Sequence, residues 1–253
     1  MRHIPPTTFN DITIVWYSSN YLEDSNPHFF NNMKRMLKET ILDTPLISVS
    51  QKPMDFGTNI CVGDIGRSNR NLYWQILQGA KNAQTKWIAT AEDDIIYSPD
   101  HFEYRPKEDV MAYEMNKWSF FTWSDPLVFS WRRRKVINSI ICTRDMFIEV
   151  MEERLAKHPQ YLSEEHCGEP GRYDRELGVK EIKTEEHYCS YPIVVYSHED
   201  ALGYVARGPN KELGPLRATE LVGIGNVHQV MSLYDSTYKY DSCPTCGQLR
   251  SLS

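Results

Sequence analysis

The sequence is poor in several things, and each absence removes a class of protein. It has no run of about eighteen consecutive apolar residues, so no membrane-spanning helix is expected. The opening residues, MRHIPPTTFN, carry no apolar stretch of the kind that marks a secretory signal, and the expectation is a soluble cytoplasmic protein. Six cysteines in 253 residues are too few for a disulfide scaffold. Positive charge is in deficit: 28 Lys and Arg against 34 Asp and Glu leave a net charge of −6, with no global attraction to nucleic acid or anionic lipid. What remains is a chain 41% hydrophobic and long enough for one large domain or two small ones with a real core.

The first half alternates strand and helix signals. DITIVWYSS (11–19) and PLISVSQ (45–51) have the β-branched and aromatic density of buried strands. Between them, SNPHFFNNMKRMLKETIL offers Asn26 as N-cap, Pro27 at the first helical position, and Phe29, Met33, Met36, Leu37 and Ile41 on one face. After a segment punctuated by Gly57, Gly63 and Gly66, NRNLYWQILQGAKNAQ repeats the helical spacing with Leu72, Ile76, Ala80 and Ala83. WIATAEDDIIY follows as a third strand. This order predicts an α/β fold with a largely parallel sheet, in which ligands gather at the carboxyl ends of the strands.

That third strand ends in Glu92, Asp93 and Asp94. Adjacent carboxylates repel and resist burial. A divalent cation would reconcile them with such a position, since hard oxygen ligands suit Mg²⁺ or Mn²⁺. On a continued strand, Glu92 and Asp94 project together and Asp93 points away. The alternative is an acidic, solvated loop turning at Ser98 and Pro99.

The stretch SNRNLYWQILQGAKNAQTKWIATAEDDIIYSPDHF resembles the heart of GT-A glycosyltransferases, most of all glycosyltransferase family 2. Arg70 and Asn71 match an RN motif that opens a helix. Glu92-Asp93-Asp94 stands where the family has its acidic D-x-D motif, with a Pro-containing turn behind it. The resemblance covers roughly residues 10–105. The chain departs from it by having Glu at the first acidic position, and SVSQKP where family members carry an acidic pair after the second strand. The resemblance implies a GT-A fold, a nucleoside diphosphate sugar as donor, and Mn²⁺ or Mg²⁺. It gives Asp94 the metal and Glu92 the donor ribose or a metal-bound water, with Asp93 and Arg70 also at the donor site. His198, just after the apolar run of YPIVVYSHEDALGYVAR, matches a histidine that completes the metal site in many such enzymes, and Arg207 falls where a closing segment meets the diphosphate. Read without the acidic motif, His198 is a hydrogen-bonded core or surface side chain rather than a ligand; with the motif, ligation is the expectation.

An inverting transfer needs a general base near the acceptor hydroxyl. Glu169 and Asp174, in the carboxylate-rich SEEHCGEPGRYDRELG (163–178), are the candidates, ahead of a helix expected from about Tyr173. Asp174 also suits a plain helix cap. Trp118, Trp123 and Trp131 are either stacking platforms or core, and Arg132 to Lys135 are either a solvated face or a phosphate-binding patch. Residues 145–157 read as an amphipathic helix with Phe147, Val150, Met151 and Leu155 inward. The tail DSCPTCGQLRSLS holds Cys243 and Cys246 in a form resembling zinc knuckles. A structural Zn²⁺ there needs two more ligands, from His166 and Cys167, from His187 and Cys189, or from a second subunit; a free thiol pair and a redox pair are the alternatives.

The expected organisation is one catalytic domain over 1–240, with a donor half (10–105), an acceptor half (106–240) and a tail (241–253). Two other functions compete with glycosyl transfer. A nucleotidyltransferase would carry a Gly-rich or basic phosphate loop after the first strand, and WYSSNYLEDSNP has neither Gly nor Arg. A noncatalytic nucleic-acid-binding module would use the aromatics and the Arg run without metal. Acceptors open to a transferase of this kind are a glycan, a small molecule, a protein, or a hydroxymethylated base in DNA.

Overall fold

The computed structural model describes residues 7–131, 133–159, 169–199, 201, 213–242 and 249–251. Its centre is a seven-stranded sheet. Strand β1 (Ile12–Ser18), every residue of it buried, lies between β2 (Leu46–Ser50) and β4 (Trp87–Glu92), parallel to both, and β3 (Thr58–Cys61) extends the sheet beyond β2. On the other side β9 (Ile140–Thr143) runs antiparallel to β4 and to β6 (Val110–Glu114). The edge strand β10 (Lys183–His187) is parallel to β6. The predicted α/β class with a largely parallel sheet is what the chain adopts.

Alternation along β1 assigns its two faces. Ile12, Ile14 and Trp16 enter one core with helix α2 (Pro27–Ile41), which follows the short α1 (Tyr21–Ser25). Val15 and Tyr17 enter the other with α3 (Asn69–Asn82) and α4 (Arg144–Lys157). Helix α2 begins as its sequence dictates: Asn26 Oδ1 accepts from Phe29 N at 3.1 Å, and Pro27 occupies the first turn. Phe30 is buried on its inner face and Met36 only partly so. Gly79 in α3 is a close-approach position. A Cβ there would sit 2.4 Å from Val15 Cγ1, so the missing side chain lets the helix lie on β1.

A second, five-stranded sheet flanks the first core. It contains β5 (Ile95–Ile96), β7 (Lys117–Phe121), β8 (Phe129–Trp131), β11 (Ile193–Ser197) and β12 (Leu216–Ala218) in the order β12-β8-β7-β11-β5. Helix α5 (Val227–Tyr234) closes that side with a complete capping box between Asn226 and Gln229.

Two local expectations are corrected. No helix follows Tyr173; residues 170–178 are successive turns, with Gly171 and Gly178 at positive φ. The chain must reverse there to enter β10, and Asp174 organises the reversal, accepting from Gly171 N at 2.9 Å and Ile182 N at 3.0 Å. Strand β4 also stops at Glu92. Asp93 and Asp94 form a turn, so strict alternation fails for the acidic triplet, and all three carboxylates border one cleft.

Candidate active site

The cleft opens at the carboxyl ends of β1, β2 and β4 and encloses about 580 Å³, including its solvent-open part. It is built by tying those strand ends to α3. Gln75, buried in α3, donates through Nε2 to the carbonyls of Ser18 (2.9 Å) and Val49 (3.2 Å). Ser68 caps α3 by accepting from Asn71 N at 3.1 Å, which brings the positive end of the helix to the cleft wall. Asn71 also donates through Nδ2 to the carbonyls of Ile65 and Gly66, holding the glycine turn against the helix start. Asn20, left-handed at φ 60°, receives Gln51 N at 2.8 Å and Lys52 N at 3.0 Å on Oδ1 and so joins the β1 and β2 loops.

The acidic triplet is wired residue by residue. Glu92 accepts from Asn138 Nδ2 at 2.9 Å, and its backbone N–H donates to the Tyr97 hydroxyl, which in turn donates to Asn138 O. Asp93 accepts from Ser18 Oγ at 2.5 Å. Burial first, and then the charge of Asp94, push the Glu92 carboxyl up to about 8 and that of Asp93 up to about 7; the bonds from Asn138 and Ser18 oppose the rise. The protein alone therefore does not favour the charged form of either carboxyl.

Asp94 and His198 meet because the chain crosses between sheets. After the acidic turn it pairs as β5 with β11, Val195 opposite Ile95, and Tyr196 N donates to Asp94 O at 2.9 Å. Strand β11 ends at Ser197, so the next residue, the buried His198, lies beside Asp94, with Nε2 3.6 Å from Oδ2. A carboxylate and an imidazole at this separation, facing a cleft with two further acids, are a donor set that suits a cation such as Mn²⁺.

Of the residues singled out in the sequence, Glu92, Asp93, Asp94 and His198 therefore converge. Arg70 does not line the cleft; Asn71 does, together with Arg67, whose guanidinium stacks 4.1 Å from the Tyr21 ring centroid. Arg67 immediately precedes the Ser68 cap, outside the helix, whereas Arg70 lies in the first turn of α3. Glu169 and Asp174 are buried away from the cleft lining. The Asp174 carboxylate is taken up by Arg154 and two backbone N–H groups, whereas Glu169 Oε2 makes no hydrogen bond among the described residues. Arg207, Cys243 and Cys246 lie outside the described residues, as do His166, Cys167 and Arg132. Arg133 pairs with Glu186 and Lys135 donates to Thr184, which ties the basic run to β10. Trp118 and Trp131 oppose each other across β7 and β8, and Trp123 is 37% exposed. Ser18, Gln75 and Asn138 were not legible as site residues, because each acts through a strand-end carbonyl or a carboxylate supplied by another element.

No protein-family model matches the chain, and no curated protein matches it. Among solved structures it is similar to a glycosyltransferase involved in the glycosylation of the major capsid of PBCV-1. That match has 11% identity and a TM-score of 0.43, and covers 70% of this chain and 81% of the other. It is also similar to the glycosyltransferase GlyE of Streptococcus pneumoniae TIGR4, at 9% identity and a TM-score of 0.43 over 71% of this chain, which spans 45% of the GlyE chain.

Proposed function

We propose that this protein is a glycosyltransferase that binds a nucleoside diphosphate sugar in the cleft, with Mn²⁺ or Mg²⁺, and transfers the sugar to an acceptor hydroxyl. The observation that carries the reading is the convergence of Asp94 and His198, from different sheets, beside two acids whose charged form the protein alone does not favour. Asp94 and His198 would hold the cation, and donor phosphate oxygens would fill its remaining positions. When bound, the cation supplies electrostatic stabilisation of the negative charge that grows on the departing diphosphate.

The chain's own groups then have separable tasks. The N-terminus of α3 at Ser68 and the Arg67 guanidinium favour an anionic donor on the opposite wall. Asn138 fixes the Glu92 carboxylate for a donor hydroxyl, and Ser18 fixes Asp93. For an inverting reaction neither sequence candidate is carried forward as the general base: Asp174 is committed to Arg154, Glu169 pairs with Arg172 at 3.8 Å, and neither lines the cleft. The acceptor is a glycan, a small molecule or a base in DNA. The ties of Arg133 and Lys135 to β10 weigh against a reading in which the basic run alone binds nucleic acid.

The test is a thermal-shift screen of nucleoside diphosphate sugars with and without Mn²⁺, on wild type and Asp94→Ala. A donor at a hundred times its Kd stabilises by about 2.7 kcal/mol, or roughly 5–10 °C for a chain of this size. The expected result is a rise with one donor class, dependent on metal and absent in Asp94→Ala. A folded protein that responds to no donor returns the triplet to an acidic loop.

A further inference from the structure

A second cluster of metal-binding side chains lies apart from the cleft, and none of its members lines it. His101, in the turn at 99–103, Glu114, the last residue of β6, and His187, the last residue of β10, each present a ligand atom within 4.8 Å of the others. All three are buried: His101 and Glu114 are 0% exposed and His187 is 7% exposed. The topology makes the meeting unavoidable, since Glu114 and His187 are register partners at the ends of paired strands. Cys189 follows two residues on; its Sγ lies outside that mutually close set but 3.9 Å from His187 Nδ1, and Glu114 Oε2 is 3.3 Å from the same nitrogen.

The polar accounting does not close without a ligand. Both ring nitrogens of His101 and Nε2 of His187 are buried with no hydrogen-bond partner among the described residues. A buried ring nitrogen without a partner calls for one, and an ion would take one nitrogen of each ring. The two separations around His187 Nδ1, 3.3 Å and 3.9 Å, lie near those an ion needs: a tetrahedral Zn²⁺ at about 2.1 Å from N and O and about 2.3 Å from S sets such donors roughly 3.4–3.6 Å apart. Tyr104 stacks on the His187 ring at 4.1 Å and fixes its plane.

We propose that His101, Glu114, His187 and Cys189 form a structural zinc site. Four protein donors leave no open position for substrate, which distinguishes a structural site from a catalytic one. The ion would clamp the turn after the acidic triplet to the β10–β11 crossover, whose strand β11 carries His198 to Asp94. It therefore acts on the cleft only by fixing the two segments that converge there. His187 and Cys189, considered in the sequence as partners for the tail cysteines, already have partners of their own in His101 and Glu114.

The experiment is metal analysis of the full chain purified without chelator, for wild type, His101→Asn, Cys189→Ser, Asp94→Ala and the double variant Cys243→Ser/Cys246→Ser. The expected result is about one zinc per chain in wild type, Asp94→Ala and the tail variant, and a loss of roughly tenfold or more in His101→Asn and Cys189→Ser. Substitution of Co²⁺ into wild type reads the donor set without any variant; a tetrahedral visible spectrum with a thiolate charge-transfer band is expected, and the band disappears in Cys189→Ser. Wild type that holds no zinc and does not gain thermal stability when zinc is added overturns the proposal. So does zinc retained by His101→Asn, zinc lost from the tail variant, or a wild-type cobalt spectrum without the thiolate band. Because Asp94→Ala is expected to keep its zinc, failure of the donor reading and failure of this one are separable.

Discussion

Replacing Asp174 by Ala is expected to damage the fold before it touches any chemistry. The carboxylate is buried and does three things at once: it pairs with Arg154, itself 1% exposed, and it accepts from Gly171 N and Ile182 N. Arg154 Nε and Nη1 have no hydrogen-bond partner among the described residues, so removing Asp174 strands the guanidinium of this α4 residue in the core. Breaking one side of a buried ion pair costs about 3–5 kcal/mol. The two N–H groups lose their acceptor as well, one in the turn at Gly171 and one at Ile182 just before β10. Urea unfolding of Asp174→Ala should therefore show a loss near 3–5 kcal/mol, or roughly 6–20 °C in Tm. The double variant Arg154→Met/Asp174→Asn should be the less damaged of the two, because no charge is left behind. If instead Asp174→Ala unfolds within about 0.5 kcal/mol of wild type while transfer is lost, Asp174 is a catalytic group and the structural account is wrong.

Three further outcomes follow from other positions. Lys117 is buried in β7, donates to Ser139 at 3.0 Å, and is pushed down to about 7 by burial. Its folded value lies below the unfolded one, so the unfolded chain holds more protons between about pH 7 and 10.5 and stability rises with pH there; chemical denaturation of Lys117→Met across this window should lack that part of the slope. Gly79→Ala improves helix propensity by about 1 kcal/mol yet places its Cβ against Val15, and overpacking of about 1–3 kcal/mol should win, giving a lower Tm. Asn20→Ala removes the acceptor shared by Gln51 N and Lys52 N and a residue suited to φ 60°, so a loss of about 2 kcal/mol is expected by denaturation, whereas Asn20→Asp, which keeps the acceptor, should lose less.

The donor half was readable because its signals are local. A Pro at the first turn, an Asn cap and a period of three to four residues define α2 wherever it packs, and the β-branched runs of β1 and β2 admit burial on both faces. The region around Tyr173 misled for the same reason. Its composition suits a helix start, but the β6–β10 pairing needs a reversal there, and tertiary pairing outweighed a preference of a few tenths of a kcal/mol per residue.

What sequence spacing could not supply is the partner of each acid. Adjacent carboxylates in a chain say nothing of Ser18, 75 residues from Asp93, or of Asn138, 46 residues from Glu92. Only the strand order, with β4 between β1 and β9, brings β1's end to one acid and the residues before β9 to another. The crossing of the chain from β4 into β5 does the same for His198. A strand that ended in a plain solvated loop would have no need to enter a second sheet within three residues of its last acid. Here that crossing ties Asp94 O to Tyr196 N and sets the imidazole beside the carboxylate. The acidic triplet is thus tolerated at the end of a buried strand because each member is handed a different partner by a different element. The two members whose partners are neutral, Glu92 and Asp93, are the ones pushed toward the protonated form, and a cation in the cleft would favour their charged form instead.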